Sequence, residues 1–156
     1  MAELKNAGDV LALAMELESL GRTFYESLAL ACDDAQVAKL SARLAKAEAK
    51  HFELFRKMRE SLPAAIRTMP LDDKPAAQAR ELLKKLVVPR PEEVRRVALG
   101  GNLKNALNMA IRMEEDSVRF YEGVLLGAQA NHAPAIRRIV QEEKGHLLAL
   151  LAARGG

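Results

Sequence analysis

Apolar residues recur every three or four positions through the first third of the chain, which is the spacing of helices that bury one face. The first predicted helix begins after Asp9, a suitable N-cap, and runs to about Ala31, and the second spans about residues 35–61. Asp33-Asp34 make a short turn between them that also caps the second helix. The two helices are therefore predicted to be antiparallel neighbours, a first hairpin of about residues 9–62.

The same apolar spacing returns in the last third of the chain and predicts a second hairpin of about residues 102–153. Its first helix spans about residues 103–128 with Asn102 as a cap, and a short loop through Asn131 and Pro134 leads to its second helix. The chain is thus predicted to be an all-α four-helix bundle built from two antiparallel hairpins.

The segment between the hairpins, about residues 63–101, holds five of the six prolines. Two short helices are expected in it, near residues 76–86 and 92–99, the second with Pro91 at its start. The segment is too long for a tight turn and too apolar for a disordered linker. We interpret it as a crossover that returns the chain along the bundle, within a single domain of residues 1–156.

The two hairpins repeat one another in sequence. Five residues of the first predicted helix recur 96 positions later in the third, namely Ala14, Glu18, Phe24, Tyr25 and Glu26, which match Ala110, Glu114, Phe120, Tyr121 and Glu122. Glu48 and His51 recur 95 positions later as Glu143 and His146. The sequence therefore indicates a duplicated helical hairpin.

Polar residues interrupt the apolar face of each of the four long predicted helices near its middle. These residues are Glu18, Glu48, His51, Glu114, Glu143 and His146. Residues three apart share one helix face, so each Glu-x-x-His pair is able to bind a metal ion from one side. Four carboxylates buried together are costly unless cations offset their charge, and two divalent ions would do so. Oxygen and nitrogen ligands permit Fe, Mn or Zn, and Glu142 would replace Glu143 if the helix is locally distorted.

Bulk composition narrows the class of protein. Hydrophobic residues make up 49% of the chain, and lysine plus arginine exceed the acidic residues by 24 to 21, giving a pI near 9.1. The charges are interspersed, which is typical of an ordinary surface and not of a nucleic-acid site. Cys32 is the sole cysteine, which excludes an intrachain disulfide and a Cys-x-x-Cys metal site. With no signal pattern and no membrane-spanning run, we expect a soluble cytoplasmic protein.

The chain resembles the rubrerythrin branch of the ferritin-like di-iron carboxylate superfamily over residues 9–153. The likeness rests on the six polar residues and on Glu-x-x-Gly-x-x-Phe-Tyr at residues 18–25. It implies a ferritin-like four-helix bundle that holds two Fe ions. By position it implies a role for each ligand, with Glu18 and Glu114 terminal, Glu48 and Glu143 bridging, and His51 and His146 one to each metal.

Two tyrosines and one glycine lie beside the predicted site. Tyr25 and Tyr121 follow Glu18 and Glu114 by seven residues, two turns along the same face. They either hydrogen-bond a ligand carboxylate or relay electrons, or they are core tyrosines with partners elsewhere. Gly21 either leaves space for peroxide or dioxygen beside the metals or permits close helix packing.

The resemblance implies an oxidoreductase that reduces peroxide or dioxygen, as a peroxidase or ferroxidase. Rubrerythrins usually carry a rubredoxin-like segment with two Cys-x-x-Cys pairs, which this sequence lacks, so the electrons would come from a separate donor protein. Many also carry a further glutamate where this chain has Ser117, which brings the site closer to bacterioferritin and simple ferritin-like oxidases. The alternatives are iron storage, an oxygenase with an organic substrate, and a metal-stabilised scaffold. A homodimer is expected, with the crossover long enough to exchange helices between chains.

Overall fold

The chain folds as a bundle of long helices in the computed structural model, which describes residues 4–71, 81, 86 and 88–155. Six helices lie within those residues: α1 Ala7–Ala31, α2 Ala35–Ser61, α3 Ala64–Thr68, α4 Pro91–Leu99, α5 Leu103–Leu126 and α6 Ala133–Gly155. The four long helices pack as two hairpins, α1 with α2 and α5 with α6. The predicted all-α four-helix bundle is confirmed.

The start of α1 differs from the prediction. Asn6, and not Asp9, is the N-cap, and its side chain accepts a hydrogen bond of 2.8 Å from the backbone N–H of Asp9. Asp9 lies in the first turn and its carboxylate accepts from the backbone N–H of Lys5 at 3.0 Å. A helix start favours asparagine or aspartate as its cap and also favours an acidic residue in its first turn, so the sequence signal was placed three residues too late.

The other predicted caps and ends agree closely with the structure. Asp34 caps α2 by accepting from two backbone N–H groups, and Asn102 caps α5 by accepting from the N–H of Asn105 at 3.0 Å. Helix α5 ends at Leu126, two residues earlier than predicted, with Gly127 as its C-cap. Gly101, immediately before the α5 cap, has a φ of +78°, a conformation that favours glycine.

The crossover begins and ends with short helices. Helix α3 directly after Pro63 was not predicted, whereas α4 begins with Pro91 as expected and packs against α1. The helix predicted near residues 76–86 lies, apart from positions 81 and 86, outside the described residues. Near Pro70 the chain returns to the start of α1, where the N–H of Leu71 donates to the carbonyl of Lys5 at 3.1 Å.

The core consists of two apolar clusters separated by a polar layer. One cluster takes the C-terminal half of α1 and the N-terminal half of α2, including Leu28 and Leu44, and the other takes the opposite halves, including Leu11 and Phe55. In the second hairpin the halves are reversed: the N-terminal half of α5 and the C-terminal half of α6 join the first cluster, and their other halves join the second. On each long helix the predicted metal ligands fall between the two clusters, so the polar layer crosses the middle of the bundle.

In the part of the chain that the structure describes, every helix falls short of the combined length and apolar character that crossing a bilayer requires.

Candidate metal centre

The six residues singled out in the sequence converge at the centre of the bundle. Two groups of four residues each bring one possible ligand atom per residue to within 4.8 Å of one another. They are Glu18, Glu48, His51 and Glu143, and Glu48, Glu114, Glu143 and His146. Glu48 and Glu143 belong to both groups, so the arrangement has two overlapping positions, each with its own glutamate and its own histidine.

The polar atoms of this cluster fit a metal because they are buried, directed inward and short of partners. Within the described residues, six buried side-chain atoms have no hydrogen-bond partner: Glu18 Oε2, His51 Nδ1, Glu114 Oε2, both carboxylate oxygens of Glu143, and His146 Nδ1. A buried polar atom without a partner costs about 1–3 kcal/mol, and more if it is charged. Every one of these atoms is a potential metal ligand, so a pair of cations would satisfy the whole set.

Burial dominates the electrostatics of the carboxylates. It raises the pKa of Glu48 well above the usual range, and the charges of Glu143 and Glu18 raise it further. The pKa of Glu114 is likewise raised well above its usual range, first by burial and then by the charge of Glu143. Burial also raises the pKa of Glu18. Without a cation, ionisation of these three carboxyl groups is therefore disfavoured.

His51 and Glu143 form the charged pair of the cluster. Burial lowers the pKa of His51, but Glu143 and Glu18 more than reverse this effect and raise it to about 11. Burial raises the pKa of Glu143, but contacts with Glu114, His146 and His51 bring it below its ordinary value. His51 Nδ1 lies 2.9 Å from Glu143 Oε1 and 3.5 Å from Glu18 Oε1. An inward Nδ1 on each histidine is the atom that would bind a metal, since His146 Nδ1 also lies 3.5 Å from Glu143.

The two tyrosines hydrogen-bond ligand carboxylates, one of the alternatives left open by the sequence. Each does so across the bundle: the Tyr25 hydroxyl donates to Glu114 Oε1 and the Tyr121 hydroxyl donates to Glu18 Oε1, both at 2.7 Å. In both glutamates the other oxygen, Oε2, is the one without a partner. The tyrosines therefore hold one oxygen of each glutamate outward and leave the second directed at the centre.

A contact that sequence reasoning did not find joins His51 to Glu142. His51 Nε2 lies 2.5 Å from Glu142 Oε2, on the side of the ring away from the cluster. The sequence leaves Glu142 open as a substitute ligand for Glu143, but Glu142 is absent from both groups of potential ligands, whereas Glu143 belongs to both. Because α6 is a regular helix, Glu143 faces the centre of the site and Glu142 lies at its edge.

Comparison with known proteins identifies the family. The rubrerythrin family model matches residues 9–154 of the chain. This chain belongs to the rubrerythrin family. No curated protein matches it. Among solved structures, it is similar to a Thermotoga maritima protein described as a candidate ferritin-like diiron-carboxylate protein, with 27% identity and a TM-score of 0.79 over 99% of this chain and 97% of that one.

The family and the fold agree with the geometry of the cluster. The rubrerythrin-family chain has a ferritin-like four-helix bundle, and such bundles bind metals with one glutamate from each of two helices and a Glu-x-x-His motif from each of the other two. Here α1 and α5 contribute Glu18 and Glu114, while α2 and α6 contribute the two Glu-x-x-His pairs. The buried cluster is therefore suitable for a two-metal site.

Gly21 packs directly against a central carboxylate. A Cβ atom at this position would lie 3.2 Å from Cδ and 3.3 Å from Oε2 of Glu48, closer than most real contacts. The structure thus favours close packing as the reason for this glycine, because Glu48 occupies the space beside it.

Replacing Gly21 by alanine is expected to weaken metal binding without weakening the helix. Alanine is better than glycine inside a helix by about 1 kcal/mol, but its methyl group would displace the Glu48 carboxylate. Gly145→Ala is the matched control, because a Cβ there meets nothing within 4 Å. Titration with Mn²⁺ should show lower affinity for Gly21→Ala alone, and equal affinity in both variants would contradict this role of Gly21.

The metal-free protein is expected to lose stability as the pH rises. The pKa of His51 in the folded protein, about 11, exceeds its ordinary value of 6.5. The stability that protonated His51 contributes is therefore complete below pH 6.5 and is lost progressively as the pH rises toward 11. The raised pKa values of Glu48 and Glu114 also make the folded protein less stable as the pH rises above 4.5, the ordinary pKa of a glutamate. The lowered pKa of Glu143 stabilises the folded protein, and this stabilisation is already complete above pH 4.5. Thermal unfolding in the presence of a chelator tests this, and a melting temperature that rises above pH 6.5 would contradict it.

Proposed function

We propose that this rubrerythrin-family protein is a di-iron oxidoreductase that reduces peroxide or dioxygen with electrons from a separate donor protein. The observation that carries the proposal is the pair of overlapping ligand groups with Glu48 and Glu143 in common. Two adjacent positions that share carboxylates suit chemistry in which two metals act on one small molecule. A site that only stabilised the fold would need neither the shared carboxylates nor a second position.

The chain's own residues would hold the metals in defined roles. Glu18 and Glu114 would each present Oε2, since the tyrosines occupy their other oxygens. Glu143 would bridge, because both of its oxygens are buried without partners. Glu48 would be the second bridge. With only oxygen and nitrogen ligands the site permits Fe, Mn or Zn, and iron is the metal in this proposal because it supplies electrons by cycling between its ferrous and ferric states.

The burial of the cluster restricts the substrate to small molecules. Five of the six residues are at most 4% exposed, and His146, at 17%, is the most accessible of them. An apolar pocket of about 70 Å³, bounded by Leu11, Phe120 and Ile136, lies toward one end of the bundle and is lined by none of the six. A bulky organic substrate would not reach the cluster by that route, whereas the partial exposure of His146 favours a substrate as small as peroxide or dioxygen.

The tyrosines would keep two ligand carboxylates in place, and the apolar clusters would keep bulk water away from the site. Burial raises the pKa of Tyr25 and Tyr121 well above the usual range, so both hydroxyls stay protonated and continue to donate to their glutamates. The apolar layers on either side exclude bulk water from the carboxylates. Because the sequence has a single cysteine, it cannot supply a four-cysteine iron site of its own, which is why the proposal includes an external electron donor.

Anaerobic loading with about two Fe²⁺ per chain, followed by mixing with hydrogen peroxide or with dioxygen, tests the proposed reaction. We expect rapid growth of ferric absorbance, reversed by added reductant, in the wild type and in Glu115→Ala, whose side chain is exposed beside the site. Glu114→Ala should not develop this ferric absorbance. Iron that stays ferrous with both oxidants would contradict the proposal, and uptake of many irons per chain, seen by light scattering, would favour storage instead.

A further inference from the structure

The two histidines of the cluster differ in what holds their outer nitrogen. His51 is fully buried, and its Nε2 lies 2.5 Å from Glu142 Oε2. An ionised carboxylate only accepts, so the Nε2–H of His51 donates to Glu142. Glu142 is itself in contact with Arg138, whose Nε lies 3.4 Å from Glu142 Oε1. His51 therefore contacts the cluster through one ring nitrogen and Glu142 on α6 through the other.

His146 has no equivalent support. In the repeat that relates Glu48 to Glu143, the position corresponding to Glu142 is Ala47, whose side chain has no acceptor. Among the described residues none hydrogen-bonds to the outer nitrogen of His146, and its side chain is 17% exposed. The duplicated hairpins thus build a site whose ligands are symmetric but whose outer contacts are not.

A carboxylate behind a metal-binding histidine has a known physical effect. It fixes the tautomer and the orientation of the ring, and it makes the ligating nitrogen a better donor. With the proton on Nε2 held by Glu142, His51 Nδ1, which faces Glu18 and Glu143, is the ring nitrogen that would bind a metal in place of its proton. Removal of such a partner typically costs about 10–100-fold in metal affinity.

We infer that Glu142 is a positioning residue, and that because of it a divalent metal fills the Glu18–His51 position before the Glu114–His146 position. The inference rests on the proposed two-metal function and concerns the order in which the two positions bind. The first position would be the firmly held one. The second, with a freer and more accessible histidine, would be the position that exchanges its ligands more readily with solvent.

The order of filling is measurable because the chain has only three histidines. We suggest titrating protein with ¹⁵N-labelled histidine with Zn²⁺, which is redox-inert, and following the Nδ1 signals by NMR. In the wild type the His51 signal should move to its metal-bound position during the first equivalent, and the His146 signal during the second. His132, which contacts Ser61 and lies outside the cluster, is an internal reference.

Three variants separate positioning from a general effect on folding. Glu142→Ala should weaken the first position by about 10–100-fold and remove the order of filling. Glu142→Gln keeps an acceptor oxygen for the His51 N–H and should restore part of the order. Glu115→Ala, an exposed glutamate beside Glu114, should fill as the wild type does.

The possible failures are distinct. If His51 and His146 fill together in the wild type, or if Glu142→Ala keeps the wild-type order while only its melting temperature falls, the inference is overturned and Glu142 is merely structural. If neither histidine of the wild type binds Zn²⁺, the proposed metal site fails, and this inference fails with it.

Discussion

Replacing Glu143 by alanine is expected to abolish binding at both metal positions, whereas replacing Glu18 by alanine should remove only one. Glu143 belongs to both groups of potential ligands and its two oxygens are buried without other partners, while Glu18 belongs to a single group. Metal analysis after loading with Fe²⁺ or Mn²⁺ and exhaustive dialysis should therefore give about two ions per chain for the wild type, one for Glu18→Ala and none for Glu143→Ala.

Glu115→Ala controls for a general loss of acidic charge, since Glu115 adjoins a ligand in sequence but points toward solvent. It should retain both ions. If Glu143→Ala kept two ions, or if Glu18→Ala lost both, the two positions would not share Glu143 in the way the structure indicates.

Replacing Glu48 by glutamine is expected to stabilise the metal-free protein and to remove the stabilisation that metal provides. Glu48 is buried among three other carboxylates, whose charges raise its pKa further. A neutral amide removes that repulsion, and its N–H groups are able to donate to the neighbouring oxygens. The desolvation penalty that the neutral amide avoids is about 1–3 kcal/mol, which is equivalent to a rise of several degrees in melting temperature.

The metal-loaded protein should respond in the opposite direction. Metal present at about a hundredfold excess over its Kd adds about 2.7 kcal/mol to the stability of a protein that binds it only when folded. The wild type should show this gain, and Glu48→Gln should show little of it. Glu60→Gln, on the same helix with a side chain 62% exposed, is the control and should change neither melting temperature appreciably. A Glu48→Gln variant that is less stable than the wild type without metal would contradict the electrostatic account.

The sequence predicted the centre of the site well because helix geometry is local. Glu48 with His51 and Glu143 with His146 are each three residues apart, so any undistorted helix places each pair on one face. The apolar neighbours on each side then determined that this face is buried. No knowledge of how the hairpins pack was needed to expect those four side chains in the core.

Contacts between hairpins were less accessible to sequence reasoning. Tyr25 was expected near the ligands, but its partner is Glu114 on α5 and not Glu18 on its own helix. Helical side chains lean toward the N-terminus, so Tyr25 reaches back to the level of the metal ligands, and the packing of α1 against α5 then sets which carboxylate it meets. Residue spacing predicts that Tyr25 lies at the level of the metal ligands, but it does not predict which carboxylate Tyr25 meets.

Glu142 shows the same limit more clearly. The sequence placed two adjacent glutamates before His146 without deciding between them, because a small change in helix phase exchanges their directions. In the structure α6 is regular, Glu143 faces the centre, and Glu142 meets the far side of His51 on α2. The asymmetry between His51 and His146 depends on this contact between two helices that are distant in the chain.

The most direct measurement is a crystal structure of the protein loaded with Mn²⁺ or Fe²⁺, with anomalous scattering used to locate the ions. The account predicts two peaks about 3.5–4 Å apart at the middle of the bundle, both within bonding distance of Glu48 and Glu143. One should be bound by Glu18 and His51, and the other by Glu114 and His146. A single peak, or no anomalous signal between the four long helices of a fully loaded sample, would contradict it.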